Sequence, residues 1–387
     1  MPRAWRHTVK SFAGKRALRR VGILLAALCA SPFGARMAFS QTAPAATRAT
    51  APYAEARANA DRIGKELLAR GIPGLAVAVA VDGHVVYAEG FGFADLEERV
   101  PAWPTTKFRI GSISKPLTAV ALMQFVEQGK VDLDAPVQKY VPSFPEKGAK
   151  ITPRLLAGHL AGIRHYEGNE FLISRHYDSV LEGLKIFEND PLVAPPGTAF
   201  HYSSYGFDLL SAVIESASGE NFLVYMQRHV FTPLGLVDTT ADQNNSIIEQ
   251  RSRFYEREKD GSTENAPYVD NSYKWAGGGF LSTPEDLVRF GSALLHPGFL
   301  TENSLRLLFT SQKTNTGEET GYGIGWFVHK SQSGQRIYEH AGGSVGGTSQ
   351  LIIYPDSRVV VALTTNLSDA PWKLTDVESI AEAFAAK

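Results

Sequence analysis

The sequence predicts an α+β fold: a mostly antiparallel sheet flanked by helices, with a mainly helical part inserted. Three observations predict it. Strand-like apolar runs joined by a turn signal come early, helical periodicity fills the middle, and strand-like runs return in the last third. In order, residues 55–70 read as a helix, with Ile63, Leu67 and Leu68 on one face and Gly71 as its stop. Leu75–Val81 is an apolar run, Asp82-Gly83 a hairpin signal, and His84–Glu89 the returning strand. A helix is expected from Ser112 to Gln128, with Pro116 in its first turn, where a missing N–H costs least. Thr152-Pro153 opens another, Ser179–Phe187 is a further candidate, and Ser204 is expected to cap a helix ending at Gly219. Thr283-Pro284-Glu285-Asp286 has a capping-box pattern. Strands are expected over Tyr322–His329, Arg336–His340, Thr348–Tyr354 and Val359–Thr365, and a helix over about 373–386 closes the chain. A cleft between the sheet part (about 55–115 and 270–387) and the helical part (about 116–269) is a natural place for chemistry.

Residues 1–40 differ in kind. They hold eight Lys and Arg, no Asp or Glu, and an apolar run from Val21 to Ala30 that is too short to span a bilayer. Basic, then apolar, then small residues at Ala38-Phe39-Ser40 is the layout of a cleaved export signal; Arg19-Arg20 allows a twin-arginine route. The expected location is the bacterial periplasm. A mitochondrial presequence or an uncleaved anchor are the alternatives, and no stable membrane span is expected in the mature form. Residues 41–54, rich in Ala, Pro and Thr, read as a flexible spacer, and 55–387 as the folded domain.

The formal net charge is −1, but the leader carries +8, so residues 41–387 carry −9. An acidic body gives no electrostatic footprint for nucleic acid. The one cysteine, Cys29, lies in the leader, which excludes a disulfide framework and a cysteine metal site. No His/Glu ligand spacing points to a metal, and no cofactor is expected.

The nucleophile is therefore sought among hydroxyls, and two patterns compete. Gly342-Gly343-Ser344-Val345-Gly346 spells a nucleophile elbow, but a strand is expected after it and no histidine follows His340. An elbow needs a helix after it and a later His, so Ser344 reads as a turn residue. Ser112-Ile113-Ser114-Lys115 is the other. Residues three apart at a helix start share a face, so the Ser112 hydroxyl and Lys115 amine can meet. A lysine whose pKa falls from about 10.4 towards ~7–8 can take the serine proton. Backbone N–H groups at a helix start suit a developing oxyanion. About one or two such spacings are expected by chance in a chain this long, so the motif needs support.

Support comes from Tyr202-Ser203-Ser204, before a helix, and His340-Ala341-Gly342-Gly343, on a strand. This order resembles that of the penicillin-recognising serine hydrolases, which include class C β-lactamases, DD-peptidases, and related esterases and D-amino-acid peptidases. The flanks Phe108–Lys115, Gly129–Val137 and Gly162–Glu167 are most similar to the family's mitochondrial serine β-lactamase-like branch and its bacterial members; the likeness covers about 58–370.

The resemblance implies the β-lactamase/transpeptidase-like fold, with Ser112 as acylated nucleophile, Lys115 as its base and Tyr202 as proton relay. It implies an oxyanion hole from the Ser112 and Gly343 backbone N–H groups, and substrate contacts from Ser204, His340 and Gly342. His159 falls in a family-like segment and reads as structural. Ser204 stands where many members have Asn, and His340-Ala341-Gly342 where β-lactamases have Lys-Thr-Gly, so β-lactam turnover is expected to be weak. The implied activity is hydrolysis of a peptide, peptidoglycan-type peptide or ester through an acyl-enzyme, without cofactor. The alternatives are an acyltransferase on the same site or a non-catalytic, self-assembling scaffold. The oligomeric state is left open.

Overall fold

The computed structural model describes residues 53–386. The expected leader, Cys29 and all of the expected spacer except Tyr53 and Ala54 lie outside them.

The sheet has seven strands in the order β3 (Val100–Pro101), β2 (His84–Asp95), β1 (Gly74–Val81), β12 (Val359–Thr365), β11 (Gly347–Tyr354), β10 (Arg336–Ser344), β9 (Phe327–Lys330). Every pairing is antiparallel. The N- and C-terminal segments meet at its centre, where β1 pairs β12 from Leu75↔Thr365 to Val81↔Val359. These two strands read as unbroken apolar runs because helices cover both faces. Successive side chains alternate between those faces. Leu75, Val77, Val79, Val361 and Leu363 pack with α1 (Ala54–Ala69) and α10 (Leu374–Ala385). Ala78, Ala80, Val360 and Ala362 face the larger core, which includes α2 (Ser114–Glu127) and α8 (Pro284–Ala293).

The helical block packs on that second face. It contains α3 (Pro153–Ala157), α4 (Val180–Leu184), α5 (Ser204–Ser218), α6 (Phe222–Tyr225), α7 (Trp275–Gly278) and α9 (Glu302–Leu308). A three-stranded sheet, β4 (Phe108–Arg109), β8 (Phe280–Ser282) and β5 (Thr240–Ala241), leads into α2. A hairpin of β6 (Tyr255–Arg257) and β7 (Thr263–Asn265) lies within a loop over about 240–275 that is rich in polar and charged residues.

Three of the boundaries that differ from expectation bear on the site. The helix expected from Ser112 starts at Ser114, because Gly111–Ile113 forms a 3-10 turn first. Ser203 caps α5, its hydroxyl accepting the Gly206 N–H at 3.1 Å; Ser204 is the first helical residue. Only Phe327–Lys330 of the strand expected at Tyr322 is strand. The Gly323 N–H donates to the Trp326 carbonyl at 2.7 Å in a tight turn that buries Tyr322, Ile324 and Trp326. Between β10 and β11 lies a hairpin, not the strand-to-helix turn of a nucleophile elbow, and Ser344 is the last residue of β10.

Candidate active site

The sequence around Ser112 cannot continue β4 or begin α2 directly. Gly111 adopts φ +47°, and a Cβ there would stand 2.4 Å from the Gly343 carbonyl oxygen. Only glycine allows this approach, which sets the Ser112 turn against β10. Gly342 holds the other side: its Cβ would lie 2.0 Å from the Ile110 carbonyl and 2.3 Å from the Ser349 hydroxyl. The Ser349 hydroxyl donates to that Ile110 carbonyl at 2.8 Å. Gly342 is thus buried packing, while Gly343 faces the cleft. β9 pairs β10 only over Arg336–Glu339, so Gly343 lies beyond that pairing.

Lys115, on the first turn of α2, is fully buried. Its ammonium donates to Ser112 Oγ at 2.9 Å, Ser204 Oγ at 3.0 Å and the Gly277 carbonyl at 2.6 Å. Burial pulls its pKa down to about 7; Asp208 opposes the shift and Lys274 adds to it. Near neutrality a large share of Lys115 is an amine held on the serine hydroxyl. Asp208, buried on α5, accepts the Gly277 N–H at 3.1 Å, and burial pushes its pKa up to about 8. Asp208 and Lys274 are the residues sequence reasoning missed. No local motif marks either; the chain brings them in from the interior of α5 and the start of α7.

The Tyr202 ring lies under Lys115, with its centroid 4.8 Å from the ammonium, and its phenol is close enough to the Ser112 side chain for Ser112 to favour the phenolate. Burial raises the phenol pKa, so Tyr202 stays protonated at neutral pH. The segment after α3 positions it. The His159 ring lies 4.3 Å from the Tyr202 ring, and its Nδ1 accepts the Ser203 N–H at 3.1 Å. Ser203 Oγ donates to the Arg164 carbonyl at 2.6 Å, and His165 Nδ1 accepts the Ser204 N–H at 3.2 Å. Burial holds His159 well below its usual pKa and His165 down to about 4, so both are neutral acceptors.

His340 takes a different place from the one expected. It is 1% exposed and does not line the cavity. Its Nε2 meets the Tyr322 hydroxyl at 3.0 Å and its Nδ1 the Ala341 carbonyl at 2.6 Å. Burial and the Lys115 charge push its pKa down to about 3. It is a neutral, occupied ring and supplies no positive charge to a substrate. The expected substrate contacts from His340 and Gly342 gain no support from this arrangement: both residues are buried and neither lines the cavity.

A cavity of about 390 Å³ opens over this arrangement, lined among others by Ser112, Ser204, Lys274, Gly277, Gly343 and Ser344. The polar loop contributes Glu256. Three carboxylates come together at Glu256, Glu258 and Glu264 of the β6–β7 hairpin, a kind of acidic grouping common on surfaces without an ion. Among the described residues, no helix is long and apolar enough to cross a membrane.

The arrangement has counterparts in known proteins. The family model described as Beta-lactamase matches residues 56–383. The human mitochondrial serine beta-lactamase-like protein LACTB is 36% identical over 404 aligned positions, covering 79% of this chain and 74% of that protein. Penicillin-binding protein 4* of Bacillus subtilis is 28% identical over 306 positions, covering 75% and 67%. The octameric penicillin-binding protein homologue from Pyrococcus abyssi superposes with a TM-score of 0.71 at 27% identity, covering 83% of this chain and 75% of that one.

Proposed function

The chain belongs to the Beta-lactamase family and is a serine hydrolase; on that premise we propose that Ser112 forms a covalent acyl-enzyme with a peptide, peptidoglycan-type peptide or ester. One observation carries the reading: the buried Lys115 amine, with its pKa near 7, stands 2.9 Å from the Ser112 hydroxyl. Neutral Lys115 takes the Ser112 proton as Oγ attacks the carbonyl carbon. The oxyanion is received by the Ser112 and Gly343 N–H groups. The Tyr202 hydroxyl, beside Ser112, delivers a proton to the leaving group; water attacking the acyl carbon then gives its proton to the Tyr202 oxygen, and the Lys115 ammonium returns one to Ser112 Oγ. β-Lactams acylate slowly, since neutral His340 gives their carboxylate no cation beside β10.

A fluorophosphonate probe followed by intact mass tests this. Wild type gains one adduct and Ser112→Ala gains none; equal labelling of both removes Ser112 as nucleophile. We also propose that residues 1–40 are an export leader, so the mature chain recovered from a periplasmic fraction begins near Gln41. A full-length chain in the cytoplasm would contradict that.

A further inference from the structure

A second lysine is buried at this site, and its ammonium meets no hydrogen-bond acceptor among the described residues. Lys274 is 2% exposed yet lines the same cavity as Ser112 and Gly343. Its ammonium sits in an aromatic collar, 4.2 Å from the Phe171 ring centroid, 5.3 Å from Tyr273 and 5.6 Å from Tyr166. Rings attract a cation through their quadrupoles but leave its three N–H donors without lone pairs. Lys115 meets three oxygen acceptors; among the described residues Lys274 meets none.

The nearby carboxylates are engaged elsewhere. Asp242 accepts from Arg109 at 2.7 Å, Asn271 at 2.9 Å and Arg251 at 3.4 Å. Asp208 accepts from the Gly277 backbone, and its other oxygen has no partner. The collar itself is fixed. Arg164 pairs with Glu170 at 2.7 Å and Asp190 at 2.6 Å, and the Tyr205 and Tyr273 hydroxyls donate to Glu170 at 2.8 and 2.7 Å. The rings around the Lys274 ammonium are therefore held in place. The other charged groups lining the cavity, Glu256 and Asp369, are acidic, and His165 there is neutral. Among the groups lining the cavity, Lys274 is the one that can carry a positive charge, and its ammonium meets no hydrogen-bond acceptor of the described residues. Ser112 lines this cavity, so a group bound there lies beside the carbonyl that Ser112 attacks.

We propose that Lys274 is a specificity-determining residue that receives a carboxylate on the acyl portion of the substrate, so the enzyme selects acyl donors with an acidic side chain. This rests on the acyl-enzyme reading above. Burial, reinforced by the Arg109 charge, pulls the Lys274 pKa down to about 7, and a bound carboxylate would favour its protonated form.

The test compares the N-acetyl 4-nitroanilides of Asp with Asn, and of Glu with Gln, each as D and L isomers. Acid and amide are near-isosteric, so their ratio isolates the charge. Wild type should favour the acid at least 10-fold in kcat/KM, mainly through KM, in at least one pair. In Lys274→Met that ratio should fall to about 1, whatever the absolute rate. A wild type that turns over the amides equally well overturns the proposal without any variant, as does a ratio that survives Lys274→Met. The fluorophosphonate adduct on Ser112 is read in the same samples. Its presence with no acid preference removes the role of Lys274 alone, whereas its absence removes the nucleophile assignment.

Discussion

A lysine serves as a base only after losing its proton, and burial does this to Lys115 without removing it from Ser112. The sign is fixed by the lowered pKa. Below about 7 Lys115 is an ammonium and cannot accept the serine proton; above it the amine dominates. The rate of Ser112 labelling should therefore climb about tenfold per pH unit below the midpoint and level off above about 7. Because the Lys274 charge helps depress Lys115, Lys274→Met should move that midpoint upward. Lys115→Met should lower the labelling rate by about 10²–10⁴-fold, and Tyr202→Phe should lower kcat by about 10²-fold, as loss of a positioned acid or base does. An unchanged Lys115→Met rate would mean that Ser112 is activated by another group. The Ser112–Lys115 contact was legible in the sequence because it is local, three residues along one turn. Lys274 was not, since its environment is made by Phe171 and Tyr166, about a hundred positions away. The burial of His340 was equally hidden: Tyr322 closes over it from a turn that read as a strand.

At the scale of elements, caps and close approaches decide where the catalytic groups stand. Ser203 Oγ accepts the Gly206 N–H and donates to the Arg164 carbonyl, so it ties the start of α5 to the segment after α3. Ser203→Ala should cost about 1–2 kcal/mol in denaturant unfolding, the worth of a cap. It should also reduce kcat, because Tyr202 and Ser204 flank it. Thr283 caps α8 through the Asp286 N–H at 3.2 Å, away from the cavity. Thr283→Ala should cost about 1 kcal/mol and leave kcat/KM unchanged. Equal kinetic effects from the two substitutions would show that the Ser203 tie does not position Tyr202. The Thr152, Ser179 and Thr283 caps were readable from polar residues before apolar periodicity. The start of α5 was off by one because Ser203 and Ser204 are chemically alike there, and only tertiary contact with Arg164 chooses between them.

At the scale of the molecule, the sheet separates stability from chemistry. One face belongs to α1 and α10, the other to the larger core that carries Lys115, so the two faces can be perturbed separately. Phe384 of α10 is fully buried, 5.6 Å from the Tyr53 ring centroid and 6.1 Å from Tyr87, on the face away from Ser112. Phe384→Ala should lower unfolding free energy by about 3–5 kcal/mol while the folded fraction keeps its kcat/KM. A matching loss of kcat/KM would show that this face is coupled to the site. The sheet-from-both-ends architecture could be read from the sequence because its strands are long and apolar. The two-residue strands β3, β4 and β5 could not, since they are defined only by their partners.

The pairing of β1 with β12 also sets a time order. Leu75 leaves the ribosome 290 residues before its partner Thr365. The central ladder therefore closes only after β12 has been made, and loop closure must come before those contacts form. Until then β1 is an apolar strand with one neighbour, β2, the kind of exposed edge that aggregates or recruits a chaperone. A chain stopped before Val359 should remain protease-sensitive although Ser112, Lys115, Tyr202 and Gly343 are all present in it.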